Sequence, residues 1–558
     1  MPAMTQITRR SALIAAGLFA AAPIPAWARD LPQGAFTHGV ASGDPLTDAV
    51  VIWTRFVPTN AVYGEIGWEV AEDEAFATIV ARGRVLARAT NDYCAKVDVQ
   101  GLRPGRRYHY RFLSGSGPSL TGHTLTAPQG RARSLKLALF SCSHFGFGYF
   151  HAYAHAAADP AIDVVVHVGD YIYEYGRDRY PSPTEAVRAI EPSVEIIGLQ
   201  QYYQRYQTYR ADPALQELHR AKPWITVWDD HELANDAWAD GAQEHDPSTE
   251  GDWASRFAHA WKAYLDWMPV RVAMTPAGAI YRSFQWGDLA GLAMLDTRWV
   301  GREQPLDYGS ALAPVMDRGP AAQMSAIAAL QQQIANPDRT LLGAEQQAWL
   351  ARQFTRYADA GAPWTILGQQ IVFAPLIAAP QIPTFLPDDA PGYVRQYATV
   401  GAMLGQAGLE WNLDAWSGYP AARRRLTEQA IASRSNTIIL AGDSHNCWVS
   451  NIDGGLPDGR PALVEVATTS VTSPGVEAYL SRAQPGQREA AMQAANPGLA
   501  FAELTHRGYA TLSLTRQAAE TEIWSFSGWR EPTATPPSSK RLVVEAVRGP
   551  GVTAWADA

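Results

Sequence analysis

Ile162-Asp163-Val164-Val165-Val166-His167-Val168-Gly169-Asp170-Tyr171-Ile172-Tyr173 is the stretch on which the fold turns. Its apolar, β-branched run from Ile162 to Val168 has the length of a buried strand, shorter than a core helix, and Gly169 ends it. What the strand releases at its carboxyl end, Asp170 and Tyr173, can bind a metal. The pattern recurs. Leu135 to Phe140 leads into Ser141-Cys142-Ser143-His144, Trp224 to Trp228 into Asp229-Asp230-His231-Glu232, and Thr437 to Ala441 into Gly442-Asp443-Ser444-His445. Open α/β sheets bind ligands beyond the carboxyl ends of their strands, so strand ends of this kind imply one shared site.

Outward from these strands, Leu289 to Leu295 and Trp364 to Leu367 repeat the buried-strand pattern, while Tyr149 to Ala158, Gly343 to Tyr357 and Ala421 to Ala432 have helical spacing. The alternation predicts a large α/β domain with parallel or mixed sheet over residues 135–535. Pro305 to Pro320 and Phe373 to Tyr397 read as excursions from the sheet that shape the pocket. Upstream, Ala49 to Thr54, Gly64 to Ala71, Ile79 to Ala87, Cys94 to Val99 and Tyr108 to Leu113 are short β-rich segments between turn residues. They predict a small all-β sandwich domain at 31–130, bounded by Ala127-Pro128-Gln129-Gly130. After Thr535, Pro536-Pro537 opens a C-terminal tail at 536–558, in which Arg548-Gly549-Pro550-Gly551-Val552 is unsuited to a long helix.

The chain has 558 residues, is 47% hydrophobic and carries a formal net charge of -9 with only 18% charged residues. It can bury a sizeable core, and it offers no global basic field for nucleic acid or anionic membrane. A small anionic substrate must then be held by local charge, for which bound metal is the obvious source. At the start, Arg9-Arg10, the apolar run Ser11 to Ala22 and Ala26-Trp27-Ala28 make a secretory leader over 1–28. The paired arginines are similar to the signal read by the twin-arginine export machinery, which moves folded proteins. The run is too short to cross ~30 Å of hydrocarbon. The expected location is therefore periplasmic or secreted, without a transmembrane anchor. Cys94, Cys142 and Cys447 allow at most one disulfide.

The donor set makes chemical sense. Carboxylates bridge cations, imidazole supplies a neutral nitrogen, and phenolate and thiolate are strong anionic donors for a trivalent ion such as iron. Two metals about 3.5 to 4 Å apart can share a carboxylate, activate water and hold both the attacking and leaving oxygens of a phosphoryl group. Singly, Cys142 reads as a small buried hydrophobe, Asp170 as a helix cap, Tyr173 as a packed aromatic and His445 as a satisfied polar residue. Their common placement at strand ends favours the metal reading. Cys447, two residues beyond His445, reads as core.

These motifs resemble those of the alkaline phosphatase D (PhoD-like) family of the metallophosphoesterase superfamily. Phe36-Thr37-His38-Gly39-Val40-Ala41-Ser42-Gly43-Asp44-Pro45 and Val51-Ile52-Trp53-Thr54-Arg55 are similar to the opening of its N-terminal β domain. Ser141-Cys142-Ser143, Gly169-Asp170-Tyr171-Ile172-Tyr173-Glu174-Tyr175, Trp228-Asp229-Asp230-His231-Glu232, Leu295-Asp296-Thr297-Arg298, Asp414-Ala415-Trp416-Ser417-Gly418-Tyr419-Pro420 and Gly442-Asp443-Ser444-His445 follow in the family's order. The resemblance implies a metallophosphoesterase-like α/β/β/α sandwich behind an N-terminal β-sandwich. It implies ferric iron on Cys142, Asp170, Tyr173 and His445, and Ca²⁺ on Asp170, Asp230 and Asp443. The resemblance also implies that Asp170 bridges the two and that His231 sits beside the phosphate as electrostatic stabiliser or proton donor.

The expected activity is hydrolysis of phosphate mono- or diesters by metal-activated water. Alternatives are a phospholipase or phosphotriesterase with the same metals, in which Tyr202-Tyr203-Gln204-Arg205-Tyr206 would dock an apolar substrate. A metal-stabilised binding module is the alternative outside enzymes.

Overall fold

A computed structural model describes residues 25–271 and 279–558. Most of the leader, residues 1–24, lies outside the described residues.

Two large sheets carry the molecule. The first has ten strands in the order Ala556–Asp557, Ser538–Glu545, Ala518–Phe526, Arg507–Leu514, Leu135–Phe140, Val164–His167, Pro223–Thr226, Gly34–Gly43, Ala49–Pro58 and Cys94–Gln100. The second has seven: Arg282–Trp286, Ala290–Met294, Trp364–Gly368, Asn436–Ala441, Leu463–Ala467, Cys447–Ile452 and Leu499–Glu503. Their centres are parallel: Leu135–Phe140, Val164–His167 and Pro223–Thr226 run together in the first, as do Ala290–Met294, Trp364–Gly368, Asn436–Ala441 and Leu463–Ala467 in the second.

The strand period of two explains the layering. In Asn436–Ala441, Ile438 and Leu440 join an apolar cluster with Leu137, Leu139 and Val166 of the first sheet. Ile439 and Ala441 face the other way, onto Leu350, Phe354 and Tyr357 of helix Gly343–Asp359 and Leu426 and Ala430 of helix Pro420–Ser433. Both faces of this strand are apolar because both are covered, as parallel strands require. Helices His151–Ala158, Leu199–Arg210, Pro213–Ala221 and Trp253–Trp267 contribute buried residues to the cluster of the first sheet. Mixed α/β architecture with a β-rich N-terminal region is thus present as expected.

That region is not self-contained. Ile79–Arg88, Tyr63–Ala71, Arg107–Ser114, Gly117–Pro118 and Gly122–Leu125 form a separate five-stranded sheet. Gly34–Gly43, however, pairs in parallel with Pro223–Thr226 through Ser42 with Pro223 and Gly43 with Trp224, so its hairpin extends the first sheet. Asp44, just beyond, is fully buried and receives both Nε (2.9 Å) and Nη2 (2.8 Å) of Arg282, which lies on the edge strand of the second sheet. The C-terminal segment also docks on the first sheet, with Ser538–Glu545 antiparallel to Ala518–Phe526. No long helix forms in it. The Tyr-rich segment of helix Leu199–Arg210 is core: Tyr202, Tyr203 and Tyr206 are buried and unavailable to a substrate. All three cysteines are buried free thiols. Among the described residues no helix is long and apolar enough to cross a membrane.

Candidate metal centre

The predicted strand ends meet where the carboxyl edges of the two sheets face each other. Turning so many side chains inward takes unusual backbone: Cys142 (φ 58°), Asp170 (55°), Asp443 (63°) and His445 (63°) all lie in the left-handed region. For residues with a Cβ such conformations cost on the order of 1–3 kcal/mol each and persist only when their surroundings enforce them. Gly169 permits a close approach between two of these loops, since a Cβ there would lie 2.3 Å from that of Asp229.

Three overlapping groups of potential ligands result: Cys142, Asp170 and His445; Asp170, Asp230 and His231; and Asp229, Asp230 and Asp443, with ligand atoms in each within 4.8 Å of one another. Asp170 belongs to two of them, as a bridging carboxylate must. The Tyr173 hydroxyl lies 3.1 Å from Asp170 Oδ2 and 3.2 Å from His445 Nε2. His445 Nδ1 is engaged by the Pro474 carbonyl at 2.7 Å, which fixes that nitrogen as the donor and leaves Nε2 for a ligand. Every residue expected to hold metal, Cys142, Asp170, Tyr173, Asp230, Asp443 and His445, is therefore in this cluster.

Its electrostatics require positive charge. Burial and the neighbouring carboxylates Asp229, Asp230 and Glu232 hold the Asp170 carboxyl well above its ordinary range, against the opposing charge of His231. Burial, Asp170 and Asp443 likewise push the Cys142 thiol up, and burial and Asp170 the Tyr173 phenol. Asp170 Oδ1 and Asp229 Oδ2 are buried without a hydrogen-bond partner. Buried carboxylate oxygens are ordinarily satisfied, and cations adjacent to these would satisfy them. Orphaned oxygens, a thiol, a phenol and an oriented imidazole fit bound metal.

Several residues given no role by the sequence frame the cluster. Arg298, fully buried, is ion-paired with Asp229, with Asp414 at 2.7 Å, with Asp443 at 2.8 Å and with Asp230 at 3.5 Å. Glu232 accepts the backbone N–H groups of Asp229 (2.7 Å), Asp170 (3.0 Å) and Tyr171, clipping two strand-end loops together. Glu174 Oε2 binds His231 Nδ1 at 2.7 Å, and Tyr173 stacks on the same imidazole with ring centroids 4.3 Å apart. Burial lowers the proton affinity of His231, but Glu174, Asp170 and Asp230 outweigh it and hold its pKa well above the ordinary value. The sequence holds a signal for Arg298 in the Leu295-Asp296-Thr297-Arg298 motif. For the Glu174 contact it holds none, because nothing local links residues so far apart.

Comparison with known proteins agrees with this arrangement. The family model for PhoD-like phosphatases matches residues 137–523, and that for their N-terminal domain matches residues 20–128. Alkaline phosphatase D of Bacillus subtilis (strain 168) is 36% identical over 496 residues, covering 86% of this chain and 76% of that protein. A solved structure described as that of PhoD superposes with a TM-score of 0.74 at 31% identity, covering 92% of this chain and 90% of its own. Matched along most of its length in sequence and in fold, the chain belongs to the PhoD-like phosphatase family and is a metal-dependent phosphoesterase.

Proposed function

We propose that the enzyme hydrolyses phosphate mono- and diesters outside the cytoplasm, with Cys142, Asp170, Tyr173 and His445 holding ferric iron and Asp170, Asp230 and Asp443 holding Ca²⁺. The observation that carries the reading is the buried Asp170, shared by two ligand groups and with Oδ1 unpartnered. A thiol and a phenol beside one imidazole suit a trivalent ion, while carboxylates such as Asp230 and Asp443, which lie together with Asp229, suit a hard, oxygen-liganded cation. Once bound, the metals supply an activated water and neutralise charge on the phosphoryl oxygens.

The chain's own residues do the rest. Asp170 sets the spacing of the two ligand groups by contributing an oxygen to each. Arg298 tethers Asp229 and Asp443 and offsets part of their charge. Glu174 holds His231 by Nδ1, so Nε2 is the nitrogen left to face substrate, where it stabilises the phosphoryl charge or protonates the departing alcohol.

Elemental analysis of protein purified without added metal, with parallel assays on aryl monoester, aryl diester and phospholipid substrates, tests this reading. Iron together with calcium and turnover of the soluble esters are expected. Full activity in iron-free protein overturns the iron assignment.

The same proposal divides the sequence into a leader at 1–28, a β-rich region at 31–130, a catalytic region at 135–535 and a C-terminal segment at 536–558. Export by the twin-arginine machinery to the periplasm or medium rests on Arg9-Arg10 and Ala26-Trp27-Ala28. Mass spectrometry of the exported protein should find a start near Arg29; an intact Met1 rules out cleavage there.

A further inference from the structure

Two serine hydroxyls stand against the two anionic donors of the proposed iron site. Ser473 Oγ lies 2.7 Å from the Tyr173 hydroxyl oxygen, and Ser141 Oγ lies 2.9 Å from Cys142 Sγ. Both serines are fully buried. Each serine oxygen accepts a backbone N–H from another loop of the site, Ser473 from His144 at 3.3 Å and Ser141 from Asp443 at 3.4 Å. The space for Ser141 is kept by Gly442, where a Cβ would lie 2.0 Å from the hydroxyl oxygen.

We infer that Ser473 and Ser141 are positioning residues that donate hydrogen bonds to the Tyr173 phenolate and the Cys142 thiolate, limiting the electron density these ligands give to the iron. The direction of donation follows from chemistry. A metal-bound phenolate or thiolate has no proton to give, so the serine must be the donor. Ser473 has a second acceptor in the Cys142 carbonyl at 3.0 Å, and Ser141 has one in the Gly169 carbonyl at 3.4 Å. In both cases the anionic partner is nearer, and charge-assisted hydrogen bonds are about twice as strong as neutral ones. Outer hydrogen bonds to ligand atoms are an established lever on the reduction potential of protein-bound iron.

The inference rests on the iron reading, and spectroscopy separates the two. Native protein should show a tyrosinate-to-ferric charge-transfer band; its absence in iron-bearing protein overturns the iron–tyrosinate reading itself. With that band present, Ser473→Ala should shift it and lower the iron reduction potential, because the phenolate becomes the stronger donor. Ser473→Thr, which keeps the hydroxyl, should restore both. Ser141→Ala should also lower the potential, and the double variant should fall at least as far as either single variant, with any departure from additivity reporting their coupling through Cys142. Both readouts are properties of bound iron and do not depend on occupancy or turnover. Unchanged spectrum and potential in the alanine variants, with or without a loss of thermal stability, assign the serines a packing role and overturn the inference.

Discussion

Two buried arginines in this molecule hold carboxylates in opposite ways. Arg282 meets one carboxylate, Asp44, with both of its oxygens engaged, and Asp44 Oδ2 also accepts the Arg271 N–H at 2.6 Å. Arg298 meets four: Asp229, Asp230, Asp414 and Asp443. The first pair is electrically closed and joins the N-terminal hairpin to the second sheet. The second is an unbalanced cluster, although Arg302 also reaches Asp414, and Asp229 Oδ2 is left without a hydrogen-bond partner. Burial raises the Asp229 carboxyl to about 6 against the pull of Arg298, whereas Arg298 and His231 hold Asp230 down at about 2 despite its burial. A buried carboxylate is therefore structural where the protein supplies the whole counter-charge, and chemical where it supplies only part.

The comparison breaks most severely if Asp170→Asn is tolerated. Losing the shared carboxylate should degrade metal content and turnover together, by more than the ~10- to 100-fold that removal of an outer-shell partner costs; normal metal and turnover would require a different bridge. His231→Ala should keep most metal while losing about 10²- to 10⁴-fold in rate. If the imidazole is the general acid, an alkyl phosphate suffers more than an activated aryl phosphate; a purely electrostatic role penalises both alike.

At the closed pair the prediction inverts. Asp44→Asn should cost about 3–5 kcal/mol of stability, as broken buried ion pairs do, while the folded fraction binds metal normally. Denaturant titration with metal analysis on the native fraction checks it, and metal loss from folded protein would erase the distinction. Chelation should lower the melting temperature of wild-type and Asp44→Asn protein by similar amounts, because the two sites share no carboxylate.

The smallest effect belongs to Glu503 and His506, a half-buried pair at 3.1 Å. Burial opposes ionisation of Glu503, but the hydrogen bond and charge of His506 hold its pKa at about 2. The carboxylate side of the contribution is present above the ordinary Glu value near 4.5 and disappears as pH falls through about 2. The hydrogen bond and charge of Glu503 raise the His506 pKa, so the imidazolium side is complete below its ordinary 6.5 and disappears as pH rises through the folded value. Glu503→Gln should flatten the stability–pH curve in both windows.

Local pattern carried most of the framework. Leu135–Phe140 is found as read, helix Gly343–Asp359 contains the predicted Gly343 to Tyr357, and the ligands clustered because each follows an apolar strand. The first excursion, read from Pro305 to Pro320, holds helix Tyr308–Leu312 and borders the Ala-rich helix Pro320–Ile334, whose weak periodicity hid it. What the sequence could not announce is pairing across distance. Nothing near Gly34–Gly43 says that its neighbour is Pro223–Thr226, and nothing near Arg298 names Asp414 or Asp443 as partners. Such facts arise from tertiary packing, to which periodicity is blind.

The order of strands in the first sheet also has a kinetic consequence. Leu135–Phe140 lies between Val164–His167 and Arg507–Leu514, so the middle of that sheet stays open until a segment near the end of the chain arrives. Assembly of this kind is slow, because the entropy of closing a very long loop is lost before the contacts reward it. During synthesis, the growing chain must carry one unpaired edge of Leu135–Phe140 until Arg507–Leu514 has been made. Until then that edge is open to pairing with other chains, so the interval between the two strands is the period in which this sheet is most exposed to aggregation.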